Sequence, residues 1–203
     1  MTVAPLAVDG IGVSCASSNA FLQQEATGDG RVRLVAAGDT DWFIDPDGRY
    51  ARASAPVAWF SAPTGDFAFG ATVEANLATT FDAAGLMVRD REDWWAKLAY
   101  ERSPAGSPTI VSVISAPVSD DANGPEVFGG RVQLRVVRTG AAIAMHWRSE
   151  GTRWHLVRYA SMPERSPIEV GLLVQSPQGQ GCDACFSSGF LSQAVPQDIR
   201  SGE

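Results

Sequence analysis

Arg89, Trp95, Lys97 and Glu101 sit in two neighbouring segments, Ala84-Gly-Leu-Met-Val-Arg89 and Trp94-Trp-Ala-Lys-Leu-Ala-Tyr-Glu101. Together they offer a guanidinium, an indole, an ammonium and a carboxylate. Successive strand side chains point to opposite faces of a sheet. Read as two strands, the segments therefore place Leu86, Val88, Ala96, Leu98 and Tyr100 on one side. Met87, Arg89, Trp95, Lys97 and Glu101 share the other, with small Gly85 and Ala99 between them. The first set suits a core, and the second suits a surface that grips a polar molecule through hydrogen bonds beside an apolar platform. A helix over 92–102 would also pair Lys97 with Glu101 at i,i+4. The strand reading is preferred because lysine before glutamate is the weaker helical order and aromatics favour strands.

Glu101 is the candidate acid/base, the role a carboxylate takes when held near the proton it transfers. Glycoside hydrolysis is not expected. It needs two closely placed carboxyl groups, about 5–5.5 Å apart in retaining enzymes, and the chain has no run of alternating strand acids of the Glu-x-Asp-x-x-Glu kind. His146 and His155 could act as bases, but each faces away from its neighbouring tryptophan and reads more simply as a surface or hydrogen-bonded side chain. They are not spaced as a metal pair. Asp45-Pro-Asp-Gly48 and Asp120-Asp121 read as turns rather than calcium ligands, so no metal is expected. Cys182-Asp-Ala-Cys185 has redox-motif spacing without a βαβ context, and Cys15 could instead bridge to Cys182 or Cys185. Nucleophile elbows, phosphate loops, dinucleotide fingerprints and His-Glu-x-x-His are missing from the sequence, so no cofactor is expected.

The elements that must position these groups are short. Turn signals recur at Gly28-Asp-Gly30, Asp45-Pro-Asp-Gly48, Pro63-Thr-Gly65, Ser103-Pro-Ala-Gly106, Asn123-Gly-Pro125, Thr139-Gly140, Glu150-Gly151 and Ser176-Pro-Gln-Gly179. Between them lie runs rich in β-branched and aromatic residues, which indicates an antiparallel sandwich or barrel. Ile143 to Tyr159 reads as a hairpin turning at Ser149-Glu-Gly151, with Trp154 as a core anchor. A length of 203 residues, 45% hydrophobic and 19% charged, fits one β-sandwich domain spanning 1–203, with a loose leading strand in 1–20 and a polar tail, 192–203, expected to fray. The net charge of -7 argues against nucleic acid. The sequence has no membrane-spanning apolar run and no secretory signal pattern, so a cytoplasmic protein is expected.

Asp39-Thr-Asp-Trp-Phe43, Gly65-Asp-Phe-Ala-Phe69, Ala84 to Arg89, Trp95 to Glu101, Leu134-Arg-Val136, Ser149-Glu-Gly-Thr-Arg-Trp154 with Arg158, and Gly171-Leu-Leu-Val-Gln-Ser-Pro-Gln-Gly179 follow one another in a characteristic order. In this the chain resembles, over about residues 20–190, the concanavalin A-like domain-of-unknown-function family typified by the yeast regulation-of-enolase protein. The resemblance implies an all-β, concanavalin A-like jelly-roll sandwich of two curved antiparallel sheets, the concave one offering a groove. The chain departs from the family pattern at Ala83, where members often carry Gln, and over Ile114 to Asp121. Placing the strand parity on that fold gives a ligand-binding set of Met87, Arg89, Trp95, Lys97, Glu101, Arg135 and Gln175. The expected function is binding of a polar small molecule or saccharide on the concave sheet. The alternatives are a metabolic enzyme of lyase, isomerase or cyclase type using the same groove, and an ion-pair network that merely covers a solvated face.

Overall fold

Alternating side chains become strands here because every second residue finds the same apolar layer. In β3 (Val32–Ala37), for example, Val32, Leu34 and Ala36 are buried while Arg33, Val35 and Ala37 are only partly covered. The computed structural model describes residues 16, 17, 19–27, 30–90, 93–163 and 167–203. All regular elements among them are strands, and no helix there is long and apolar enough to cross a membrane. Cys15 and the rest of the expected leading strand before residue 16 lie outside the described residues.

The first seven-stranded sheet runs, edge to edge, β1 (Ala16–Ser17), β6 (Val57–Ser61), β15 (Glu169–Gln175), β8 (Ala83–Arg89), β9 (Trp95–Arg102), β10 (Pro108–Ser115) and β11 (Ser119–Glu126). The second runs β14 (His155–Ser161), β13 (Ala142–Arg148), β12 (Arg131–Thr139), β7 (Phe67–Asn76), β16 (Gly181–Ser192), β3, then β2 (Gln23–Ala26). Every named pairing in both is antiparallel. The inner faces meet in one apolar layer, where Leu86, Leu98 and Leu172 of the first sheet share a cluster with Phe69, Leu134 and Phe186 of the second. Phe60 and Phe69 touch across the layer at 6.5 Å between ring centres. Each such side chain contributes about 1.5–3 kcal/mol on burial. Cys182 is buried and Cys185 half-buried. Three residues apart on β16, they point to opposite faces and cannot bridge each other.

An antiparallel sheet with one face in a core usually shows the other to water. The outer face of the first sheet instead carries a second apolar cluster that includes Trp42, Val57, Trp59, Met87, Trp95 and Leu173. It is covered by a two-stranded hairpin, β4 (Trp42–Ile44) and β5 (Ala51–Ala53). The Asp45-Pro-Asp-Gly48 turn joins them. Gly48 takes φ +77°, a left-handed conformation that glycine adopts without strain, and its N–H donates to the Asp45 carbonyl at 3.0 Å.

Candidate functional site

Strand register assembles the site. Ala83 lies opposite Glu101 on β9 and Gln175 on β15, Gly85 opposite Ala99 and Leu173, and Met87 opposite Lys97 and Gly171. Lys97 and Glu101 thus flank a patch floored by Ala99 and Gly85, with Gln175 two strands away from Glu101. The floor must be small: a Cβ on Gly85 would come within 2.2 Å of the Leu98 carbonyl oxygen.

The hairpin turns this patch into a cavity of about 340 Å³, lined by Lys97, Glu101, Val111, Val113 and Gln175 from the sheet and by Asp41, Phe43, Asp45 and Tyr50 from above. Phe81, Asp121, Pro177 and Gln178 complete its lining. Trp42 seats the hairpin by wedging edge-on between Trp59 (6.0 Å) and Trp95 (5.7 Å). Its indole N–H donates to the Ala55 carbonyl at 2.9 Å, and its own carbonyl accepts from Lys97 Nζ at 3.1 Å. The Ile44 N–H adds a 3.0 Å bond to Ser119 Oγ. Phe81 holds φ +67°, uncommon for a bulky side chain and a mark of local strain. Buried Asp82 fixes that corner by accepting from Ser176 Oγ (2.6 Å) and from the Thr79 N–H (2.7 Å).

The electrostatics of the cavity centre on Glu101. It is 6% exposed, and among the described residues its carboxyl has no protein hydrogen bond. Burial pushes it up to about 8; Lys97 opposes the rise, and Asp121 and Asp41 add to it. Lys97 directs Nζ at Gln175 Oε1 (3.2 Å) as well as at the Trp42 carbonyl. Gln175 Nε2 in turn donates to the Phe81 carbonyl at 3.3 Å. Tyr50 donates its hydroxyl to Asp41 Oδ2 at 3.0 Å, and burial together with Asp41 pushes the phenol up to about 12. Burial also raises Asp121, against Lys97 and Arg158. The cavity therefore offers a protonated carboxyl at neutral pH, an ammonium held by two acceptors, and three further carboxyl side chains.

The seven residues expected to share one surface separate into four groups. Lys97, Glu101 and Gln175 line the cavity. Met87 is fully buried beneath the hairpin. Arg89 and Trp95 fall on the far side of Trp42, in a separate hollow of about 350 Å³, where Arg89 pairs with Glu169 at 2.7 Å and stacks 3.9 Å over Trp59. Trp95 is spent on packing Trp42 rather than offered as a platform. Arg135 corrects the expectation outright: β12 belongs to the second sheet, so Arg135 cannot reach the groove.

Instead, Arg135 and Arg148 pack on the Trp154 ring at 4.1 and 4.2 Å, which removes Trp154 from the core as well. Arg135 Nη2 donates to the Gly202 carbonyl at 2.6 Å, and His146 Nε2 to the Ile199 carbonyl at 2.9 Å. The tail expected to fray is thus held by its own carbonyls. A bulge at Met145/His146 shifts the β13–β14 register and brings His146 to 6.5 Å from Trp154 and His155 to 5.2 Å from Trp147. Sequence reasoning missed Asp41, Phe43, Asp45, Tyr50, Phe81, Asp121, Pro177 and Gln178. The turn at Asp45–Gly48 was legible, but nothing local tells which surface a hairpin folds over.

Among known proteins, residues 19–193 match the family described as protein of unknown function (DUF1349). Regulation of enolase protein 1 of Saccharomyces cerevisiae is 28% identical over 167 residues, 80% of this chain and 82% of that protein. The crystal structure of a functionally unknown protein from Saccharomyces cerevisiae superposes with a TM-score of 0.82 at 23% identity, over 90% of this chain and 97% of the other. Alginate lyase from Klebsiella pneumoniae gives 0.57 at 12% identity, over 84% of each chain. Xylan beta-1,4-xylosidase from Bacillus halodurans gives 0.63 at 14%, over 78% of this chain and 32% of the enzyme. At these identities the structural likenesses establish the β-sandwich fold alone.

Proposed function

This chain belongs to the DUF1349 family of proteins of unknown function, and from its geometry we propose that it binds a polar small molecule, most simply a saccharide, in the cavity under the β4–β5 hairpin. The observation that carries this reading is the mixed lining of one cavity. Phe43, Tyr50 and Phe81 supply apolar surface, and Lys97, Glu101 and Gln175 supply hydrogen-bonding groups from the sheet floor. Ligand pockets combine apolar walls with a few convergent polar groups in this manner, and about 340 Å³ suits a one- or two-ring molecule. Saccharide-active proteins among the fold neighbours, the xylosidase and the alginate lyase, favour the same class of ligand. The proposed partner is this small molecule rather than nucleic acid or a membrane. The proposed location is the cytoplasm, which the free thiols of Cys182 and Cys185 favour.

A thermal-shift panel of neutral sugars and polyols tests the proposal. A ligand at a hundred times its Kd stabilises by about 2.7 kcal/mol, which raises Tm by roughly 5–10 °C in a chain of this size. Phe43→Ala, a change at the partly exposed wall, should abolish the shift. A shift that survives Phe43→Ala and Asp121→Asn alike would locate the ligand elsewhere and sink the proposal.

One observation favours a second reading, catalysis in the same cavity. A carboxyl protonated near neutral pH and without a hydrogen-bond partner among the described residues is equipped to act as a general acid. Under that reading Glu101→Gln removes turnover of the bound ligand while retaining binding. Turnover undiminished in Glu101→Gln would exclude it.

A further inference from the structure

The charge in the cavity is lopsided. Asp41, Asp45 and Asp121 line it together with the protonated Glu101, against one ammonium among the described residues, that of Lys97. That ammonium is already turned toward two acceptors, the Trp42 carbonyl and Gln175 Oε1. Beyond the rim, the guanidinium of Arg158 pairs with Asp120 at 2.6 Å, and that of Arg52, 5.5 Å over the Tyr50 ring, pairs with Asp39. Glu101 is the telling member, because its carboxyl is nine-tenths buried, lines the space and accepts from no group among the described residues. A donor brought by a ligand gives that carboxyl the partner it lacks.

We infer that the occupant carries a positive charge: the cavity is built for an organic ammonium on a hydroxylated, sugar-sized skeleton, seated with its nitrogen toward Glu101. This rests on the binding reading above and narrows its ligand class. The acids do not converge as metal ligands, since no three His, Cys, Asp or Glu side chains among the described residues are grouped to hold an ion. Charge spread around a wall matches an extended organic cation better than a point ion. Phe43, Tyr50 and Phe81 add aromatic surface of the kind ammonium groups favour. An anionic sugar would meet one cation among the described lining residues, Lys97, against the side chains of Asp41, Asp45 and Asp121.

The coupling to protons follows from what surrounds Glu101. Lys97 faces it from its own strand, Asp121 from β11, and Asp41 with Tyr50 and Asp45 from the hairpin side; the β15 and Phe81 side presents only neutral groups. An arriving ammonium favours the ionised carboxyl and so displaces its proton.

The test uses three matched probes on the full chain: 2-aminoethyl glucoside, 2-hydroxyethyl glucoside and glucuronate. Calorimetry at pH 8 should find the amine bound at least about tenfold more tightly than the hydroxyl analogue, and glucuronate the weakest of the three. At pH 7, where a group titrating near 8 is about 90% protonated, amine binding should release close to one proton, read by repeating the titration in buffers of different ionisation enthalpy. Glu101→Gln should bring the amine-to-hydroxyl affinity ratio toward one and abolish the proton release. Asp121→Asn, at the exposed rim, should lower the ratio by a smaller factor without endangering the fold. Equal binding of the amine and hydroxyl probes, or preference for glucuronate, would overturn the cation inference and leave the polar-ligand reading standing. No binding by any probe at about 10 mM, weaker than the weakest useful affinities, would overturn both.

Discussion

Replacing Glu101 with Gln should make the protein more stable, and only above mildly acidic pH. Burial moves the carboxyl from 4.5 to about 8 in the folded chain, while the unfolded chain keeps the ordinary value. Between those limits the folded state holds a proton that the unfolded state has lost, so stability falls as pH rises. The stability is fully present below about pH 4.5 and has been lost once pH passes through about 8. At about 1.4 kcal/mol for each tenfold, the displacement amounts to about 5 kcal/mol across that window. Glutamine keeps the shape and a hydrogen-bonding end but cannot ionise. Urea unfolding from pH 5 to 9 measures the effect: wild type should lose several kcal/mol across the range relative to Glu101→Gln, with the two curves converging at the acid end. Parallel curves would refute the placement of Glu101 in a poorly solvated cavity, and with it the electrostatics of the whole site.

Two other outcomes follow from the same packing. Trp42→Ala removes the wedge between Trp59 and Trp95; it should cost about 3–5 kcal/mol and expose the Lys97 patch, seen as faster amide exchange over β4 and β5 and loss of any ligand-induced thermal shift. His146, lowered to about 4 by burial and by Arg135, resists protonation when folded, so wild-type stability should decline as pH falls from about 6.5 toward 4. His146→Gln should flatten that acid limb in the urea series extended down to about pH 4, and an unchanged limb would show that the tail does not shield the imidazole.

The division between what was legible in the chain and what was not follows the range of the interactions involved. Strand alternation is local: the period of two in Ala84–Arg89 and Trp95–Glu101 separated core from outer face correctly, because each side chain's side depends only on its neighbours along the strand. The antiparallel sandwich was equally legible from short β-rich runs between turn signals. Parity, however, says which side of its own sheet a residue occupies and not which sheet that is. Arg135 alternates in step with its neighbours yet belongs to the second sheet, where it holds the C-terminal segment against Trp154.

The cavity itself was decided only by tertiary structure. Its roof comes from residues about fifty positions before its floor, and the hairpin is placed by Trp42 finding an apolar slot between two distant tryptophans. That one insertion separated Arg89 and Trp95 from Lys97, Glu101 and Gln175, and brought Asp41 and Tyr50 over them. By itself, the sequence determined that a polar face exists on β8 and β9. Desolvation of Glu101 and the acidity of its surroundings depend on groups that only meet once the chain has folded, because burial and through-space charge have no period along the sequence.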